Sequence, residues 1–316
     1  MQTKAVTPDD FRRSVIAVPP LCRLANGMPS KANNRRMISF LAKGGISAFL
    51  YGGNANAYHL TNDELAAMLD QIIEAAPKDA WVAPSIGPDF GKARDQVALI
   101  RDRRFPTAML LPSAGPLTAK GVAEGVRRLT DVFGAPLVLY LRSEDYLSIG
   151  ELRRLIGDGV VCGVKYAILR QDTLVDEYLR ELVESCGVER IISGMGERPA
   201  IDHWRGFGIR GFTSGSVCIA PRLSMAMLAA MKAGRFAEAE QIRARFLELE
   251  QLRDERSQIG VLHTAVAAAR IADTGPLTPL LSAIDDAETL ERISAVTATL
   301  SRLESARSAG PKAAAT

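Results

Sequence analysis

Histidine and cysteine are scarce in this chain, and neither is spaced for metal or redox work. The three histidines, His59, His203 and His263, stand far apart with no ligand-spaced partner. No zinc motif is read from them. The four cysteines, Cys22, Cys162, Cys186 and Cys218, include no C-x-x-C pair, which leaves neither a zinc knuckle nor a redox dithiol. Cys162 and Cys218 lie among apolar or small residues and are expected as buried thiols. No apolar run is long enough to span a bilayer. The N-terminal stretch MQTKAVTPDDFRRS has no apolar signal core, so a reducing cytoplasm is the expected location. Blocks of like charge are missing as well, and the formal net charge is only +3. Arg103-Arg104 and Arg127-Arg128 read as solvated surface, and neither nucleic acid nor a membrane is an expected partner. A G-x-G-x-x-G fingerprint is absent after the first apolar run, which leads into Pro19-Pro20-Leu21. That argues against an open, dinucleotide-binding sheet.

What is present is a regular alternation. The length of 316 residues accommodates one large α/β barrel or two ordinary domains. Short apolar runs at Val15–Val18, Ile46–Tyr51, Ala80–Ala83, Ala108–Leu111, Leu137–Tyr140, Val160–Val164, Arg190–Ser193 and Gly208–Phe212 read as strands. Helical pattern follows nearly all of them, as in Asp63–Ala75 and Asp89–Arg101. Such alternation implies parallel strands joined by right-handed crossovers, and eight units imply closure into a (β/α)8 barrel. After Gly234 the period becomes purely helical, over Arg235–Arg256, Gly260–Ile271 and Ala287–Ser305. The expected organisation is a barrel over 10–233, a helical extension over 234–306 and a disordered tail over 307–316.

The most informative strand is Val160-Val161-Cys162-Gly163-Val164-Lys165-Tyr166-Ala167. A lysine in an apolar strand is costly to bury as a cation. Alternate residues of a barrel strand face inward, so Lys165 would share the lumen with Val161, Gly163 and Ala167. Gly163 and Ala167 are small and would leave space around the amine. Desolvation lowers a lysine pKa and frees the lone pair for attack on a ketone. On this strand alone, a lysine reaching solvent or pairing with a carboxylate remains the alternative.

Further motifs fall at the other strand ends in a definite order. Gly45-Ile46 leads into Tyr51-Gly52-Gly53-Asn54-Ala55-Asn56, with Leu60-Thr61 and Glu64 beyond. Leu110-Leu111-Pro112, Leu139-Tyr140, Gly163-Val164-Lys165, and Gly211-Phe212-Thr213-Ser214-Gly215 followed by Ala220-Pro221 come next. In this order and spacing, from about Val15 to about Arg235, the chain resembles the dihydrodipicolinate synthase and N-acetylneuraminate lyase family of class I aldolases. The resemblance implies Lys165 as the Schiff-base lysine and Tyr140 as the phenol that relays protons. It implies a carboxylate-binding loop at Gly52, Gly53, Asn54 and Asn56, with Arg142 and Thr213 as further substrate contacts. No cofactor or metal is expected, since iminium chemistry needs none. The partner is a small 2-oxo acid, and a homotetramer is implied by the resemblance alone.

The departures from the family pattern bear on the substrate. Asn56 stands where the family's G-[GT]-T-G-E loop has glutamate, and Ala114 where its second relay tyrosine falls. Asp145 stands where dihydrodipicolinate synthase itself has a carboxylate-binding arginine, so repulsion is expected to disfavour aspartate semialdehyde. Arg142 resembles the Tyr-Asn-Arg stretch of the 2-keto-3-deoxy sugar-acid dehydratases, but Tyr166 replaces the aspartate that follows the lysine in that branch. Glu144, Asp145, Glu197 and Arg198 are candidate contacts for the distal part of a substrate, or ordinary surface charge. His59 reads as a polar residue at a helix start, and His203 and His263 as structural. The expected activity is a Schiff-base lyase acting on pyruvate or a related 2-oxo acid. The alternatives are a dehydratase using the same lysine and a non-catalytic 2-oxo-acid-binding barrel.

Overall fold

The apolar runs pair in chain order into a closed parallel barrel. In the computed structural model, which describes residues 1–277 and 280–308, the strands are β1 (Ile16–Ala17), β2 (Ala48–Tyr51), β3 (Trp81–Ile86), β4 (Met109–Leu110), β5 (Leu137–Leu141), β6 (Val161–Tyr166), β7 (Ile191–Ser193) and β8 (Gly211–Ser214). β1 closes the ring by pairing with β8, Ile16 opposite Thr213. Nearly every strand residue is buried, because helices cover one face and lumen side chains fill the other.

The covering helices are α1 (Pro8–Arg12), α2 (Lys31–Lys43), α3 (Asn62–Ala75), α4 (Phe90–Asp102), α5 (Ala119–Phe133), α6 (Ile149–Gly157), α7 (Glu177–Cys186), α8 (Ala200–Phe207) and α9 (Pro221–Lys232). Several start at side-chain caps. Thr61 accepts from the Glu64 N–H and Glu64 reaches back to the Thr61 N–H, a reciprocal cap that satisfies two otherwise orphaned donors. Ser148 and Asp176 cap α6 and α7 in the simpler one-sided way.

The bottom of the barrel is plugged by α1. Phe11 is 2% exposed and packs edge-on against Trp81, ring centroids 5.5 Å apart. A Cβ at Gly163 would lie 2.7 Å from the Phe11 ring, and one at Gly211 would lie 2.1 Å from the Phe11 carbonyl oxygen. Gly163 is therefore small because an aromatic ring sits beneath it. The space it was expected to leave around the amine is filled by Phe11.

Beyond the barrel, α10 (Phe236–Glu255), α11 (Gln258–Ala268) and α12 (Ala287–Ser308) pack on α9 and on each other. Phe246, Leu249, Val261, Leu262, Ile293 and Leu300 are fully buried among them. Glu304 ties the last helix back to α9, accepting from Arg222 at 2.9 Å and from the Leu223 N–H at 3.2 Å. Arg307 and Ser308 complete α12 rather than beginning a tail; the rest of that expected tail lies outside the described residues. Among the described residues no helix is long and apolar enough to cross a membrane.

Candidate active site

Lys165 stands opposite Tyr140 in the β5–β6 register, at the C-terminal ends of those strands. That is the end of a (β/α)8 barrel where reactive groups collect. The Lys165 amine lies 3.7 Å from the centre of the Tyr140 ring. Lys165 is 5% exposed. Burial lowers its pKa to about 7, helped by the positive fields of Arg142 and Arg253. The Tyr140 phenol is held above its ordinary value by burial, against the opposing pull of the same two guanidinium groups. At neutral pH the pair is thus an amine about half deprotonated beside a protonated phenol.

Both residues line a cavity of about 280 Å³. Gly53, Asn54, Arg142, Ala167 and Thr213 also line it. Gly52 and Asn56 do not. Gly52 sits where a Cβ would meet the Met109 side chain at 2.9 Å. Asn56 is 2% exposed and takes the left-handed conformation, φ 53°, so it shapes the turn that presents Gly53 and Asn54. Asn54 is itself fixed by its neighbours. Its side-chain amide donates to the Val18 carbonyl at 2.7 Å, and its backbone carbonyl meets the His263 ring nitrogen at 2.9 Å.

The expected distal contacts separate into different roles. Glu197 is 0% exposed and accepts from Ser214 at 2.8 Å and Ser224 at 2.7 Å. It is a core acid and no part of the cavity wall. Asp145 is exposed on a short 3-10 turn and does not line the cavity. The repulsion expected from Asp145 therefore has no structural basis, and the residue of that loop which does line the cavity is Arg142. Glu144 pairs with Arg170, which also pairs with Asp176. Tyr166 points away from the lumen and donates to Asp176. Arg198 lines the cavity and pairs with Asp254 at 2.6 Å. His59 is exposed outside the cavity. His203 meets the Ser193 hydroxyl at 2.9 Å, and burial drives the pKa of both His203 and His263 to about 4. All four cysteines are buried and free. Among the described residues no group of three His, Cys, Asp or Glu side chains could hold a metal.

Sequence reading missed Tyr58, Glu250 and Arg253, all of which line the cavity. Tyr58 lies just beyond the loop, two residues after Asn56, and hydrogen-bonds Arg142, while Lys92 donates to its backbone carbonyl at 2.6 Å. Glu250 and Arg253 come from α10. A Cβ at Gly196, whose φ is +77°, would fall 2.3 Å from the Glu250 carboxylate, so α10 docks against bare backbone.

The sequence profile of the dihydrodipicolinate synthetase family matches residues 23–297. The chain belongs to that family. No functionally curated protein matches it. Among solved structures, dihydrodipicolinate synthase from Oceanobacillus iheyensis superposes with a TM-score of 0.82 at 19% identity, covering 92% of this chain and 97% of its own. The enzyme from Bacillus clausii gives 0.81 at 21%, covering 92% and 98%. Sialic acid aldolase from Ruminococcus gnavus gives 0.80 at 14%, covering 93% and 99%. At such identities the likeness speaks for the fold; family membership supports an aldolase-type lyase.

Buried acids near the extension give the family scaffold a pH-dependent term here. The pKa of Glu197 is raised by burial and then by the nearby Glu250. The folded chain therefore keeps a proton that the unfolded chain releases above about 4.5. That contribution is complete below 4.5 and is lost as pH rises toward the raised folded value. Relative to Glu197→Gln, the wild type should lose up to about 1.4 kcal/mol per pH unit over that interval. Denaturant midpoints measured for both proteins from acid to mildly alkaline pH test this; parallel curves would refute it.

Proposed function

We propose that this chain is a Schiff-base-forming lyase of the aldolase type, acting on pyruvate or a related 2-oxo acid through Lys165. The observation that carries the reading is the buried Lys165 amine, its pKa lowered to about 7, set against the Tyr140 ring inside the cavity. The Ruminococcus gnavus sialic acid aldolase works with a catalytic lysine, and the family resemblance of the Gly163-Val164-Lys165 strand points to the same use here.

The chemistry follows from those groups. The neutral amine attacks the carbonyl carbon of the 2-oxo acid, giving a carbinolamine. Loss of its hydroxyl as water, with one proton supplied to it, leaves a protonated imine. In a 4-hydroxy-2-oxo acid that cation takes up the electron pair of the C3–C4 bond, which breaks as the C4 hydroxyl gives up its proton, releasing an aldehyde and leaving an enamine. Protonation at C3 and hydrolysis of the imine then free the shortened 2-oxo acid and the amine. The Tyr140 hydroxyl, on the ring against which the amine packs, carries protons to and from this exchange. The combination of a near-neutral amine and a protonated phenol favours turnover over simple binding.

Trapping tests the reading. With pyruvate and cyanoborohydride, hydride reduction of the imine should leave a stable secondary amine on the peptide containing Lys165. The trapping rate should climb with pH and level off just above pH 7, where Lys165 has lost its proton. An ordinary lysine would keep climbing toward about pH 10. No adduct with any of a panel of 2-oxo acids would rule the mechanism out.

A further inference from the structure

We infer that Arg253, carried by α10 of the helical extension, is a substrate-positioning residue whose guanidinium receives the carboxylate of the 2-oxo acid. The inference rests on the Schiff-base reading of Lys165 and adds the group that orients the substrate. Three observations lead to it.

The first is position. Arg253 lines the same cavity as Lys165, Tyr140 and Thr213. Its Nη2 donates to the Asn54 side-chain oxygen at 3.2 Å, so the guanidinium sits at the loop that opens the cavity. A Cβ at Gly215 would lie 2.8 Å from both Arg253 Nη2 and Asn54 Nδ2. The end of β8 is therefore bare so that α10 can bring this cation down onto the barrel mouth.

The second is charge. Of the other cavity arginines, Arg198 is paired with Asp254, Arg170 with Asp176 and Glu144, and Arg142 is exposed and hydrogen-bonded to Tyr58. Arg253 has 11% of its side chain exposed, and its nearest carboxylate, Glu250, is a long 3.5 Å away. Glu250 is better held by Ser216 at 2.8 Å, and burial pushes it toward its neutral form. A cation this buried and this weakly matched is completed by an anion.

The third is donor supply. Of the five N–H groups on a guanidinium, three go to Gln258 O, Glu250 and Asn54, leaving two. One of the Asn54 amide hydrogens is committed to Val18. The loop has no side-chain hydroxyl at Gly53, Asn54 or Ala55 to offer in its place. Arg253 supplies the charge-assisted pairing that the loop itself lacks.

The test compares trapping of Lys165 by pyruvate and by hydroxyacetone, a ketone without a carboxylate, at a pH above the lysine's pKa. In Arg253→Gln the pyruvate concentration for half-maximal trapping should rise about 10- to 100-fold, with hydroxyacetone trapping little changed. The pH midpoint of trapping should move upward for both ketones, since a positive neighbour of Lys165 has been removed; the readout that a merely structural contact would not move is the ratio of pyruvate to hydroxyacetone trapping above both midpoints. Arg253→Lys, which keeps the charge without the planar fork, should fall between the two and serves if the glutamine variant unfolds. Equal losses for both ketones, or none for pyruvate, would overturn the assignment while leaving the Schiff base intact. No adduct in the wild type with either compound would overturn both.

Discussion

Lys165→Arg should lose the pyruvate adduct completely and lose turnover by roughly 10⁴-fold or more, the scale of deleting a covalent nucleophile. The argument is one of protonation state. At pH 7 an ordinary lysine exposes its lone pair in only about one molecule in a few thousand. In this cavity burial and two nearby guanidinium groups lower the pKa to about 7, so about half the molecules are ready. Arginine keeps the positive charge but stays protonated at any accessible pH, so it has no lone pair to give. It is also larger, and a Cβ at neighbouring Gly194 would already lie 3.0 Å from the Lys165 Cγ. Lys165→Ala is therefore the companion variant, with circular dichroism to verify the fold. An adduct that persists in either variant on another lysine would sink the assignment.

Tyr140→Phe should separate the two halves of the chemistry. The amine rests against the ring face rather than depending on the hydroxyl for its place. Removing only the oxygen leaves that packing and the lowered lysine pKa largely in place, so trapping by pyruvate should survive. Turnover should drop by about 10²- to 10⁴-fold, the usual worth of a positioned proton donor. Single-turnover trapping and steady-state assays on one preparation check this together. If adduct and turnover fell in parallel, Tyr140 would be supporting the lysine and not moving protons.

The strand order was legible because a buried parallel strand announces itself as an apolar run, and all eight runs contain the observed strands or overlap them. Lys165 stood out for the same reason: a charge inside such a run has no cheap explanation. Gly163 misled, since a glycine facing a lumen looks like room for a substrate until Phe11 is found beneath it. Asp145 misled because sequence spacing places a residue along a loop without saying which way the loop turns. Glu250 and Arg253 were invisible for a different reason. They belong to α10, where buried Ala239, Ile242, Phe246, Leu249 and Leu252 alternate with many charges. No pattern there distinguishes an ion facing solvent from one facing the barrel.

The contact between α10 and the barrel mouth also sets an order in time. A nascent chain exposes Lys165 to the cell well before Arg253 has been made. Until α10 folds over the end of β8, the lysine lacks the positive field of Arg253 that helps lower its pKa. The lysine therefore reaches its full nucleophilic character only in the finished molecule.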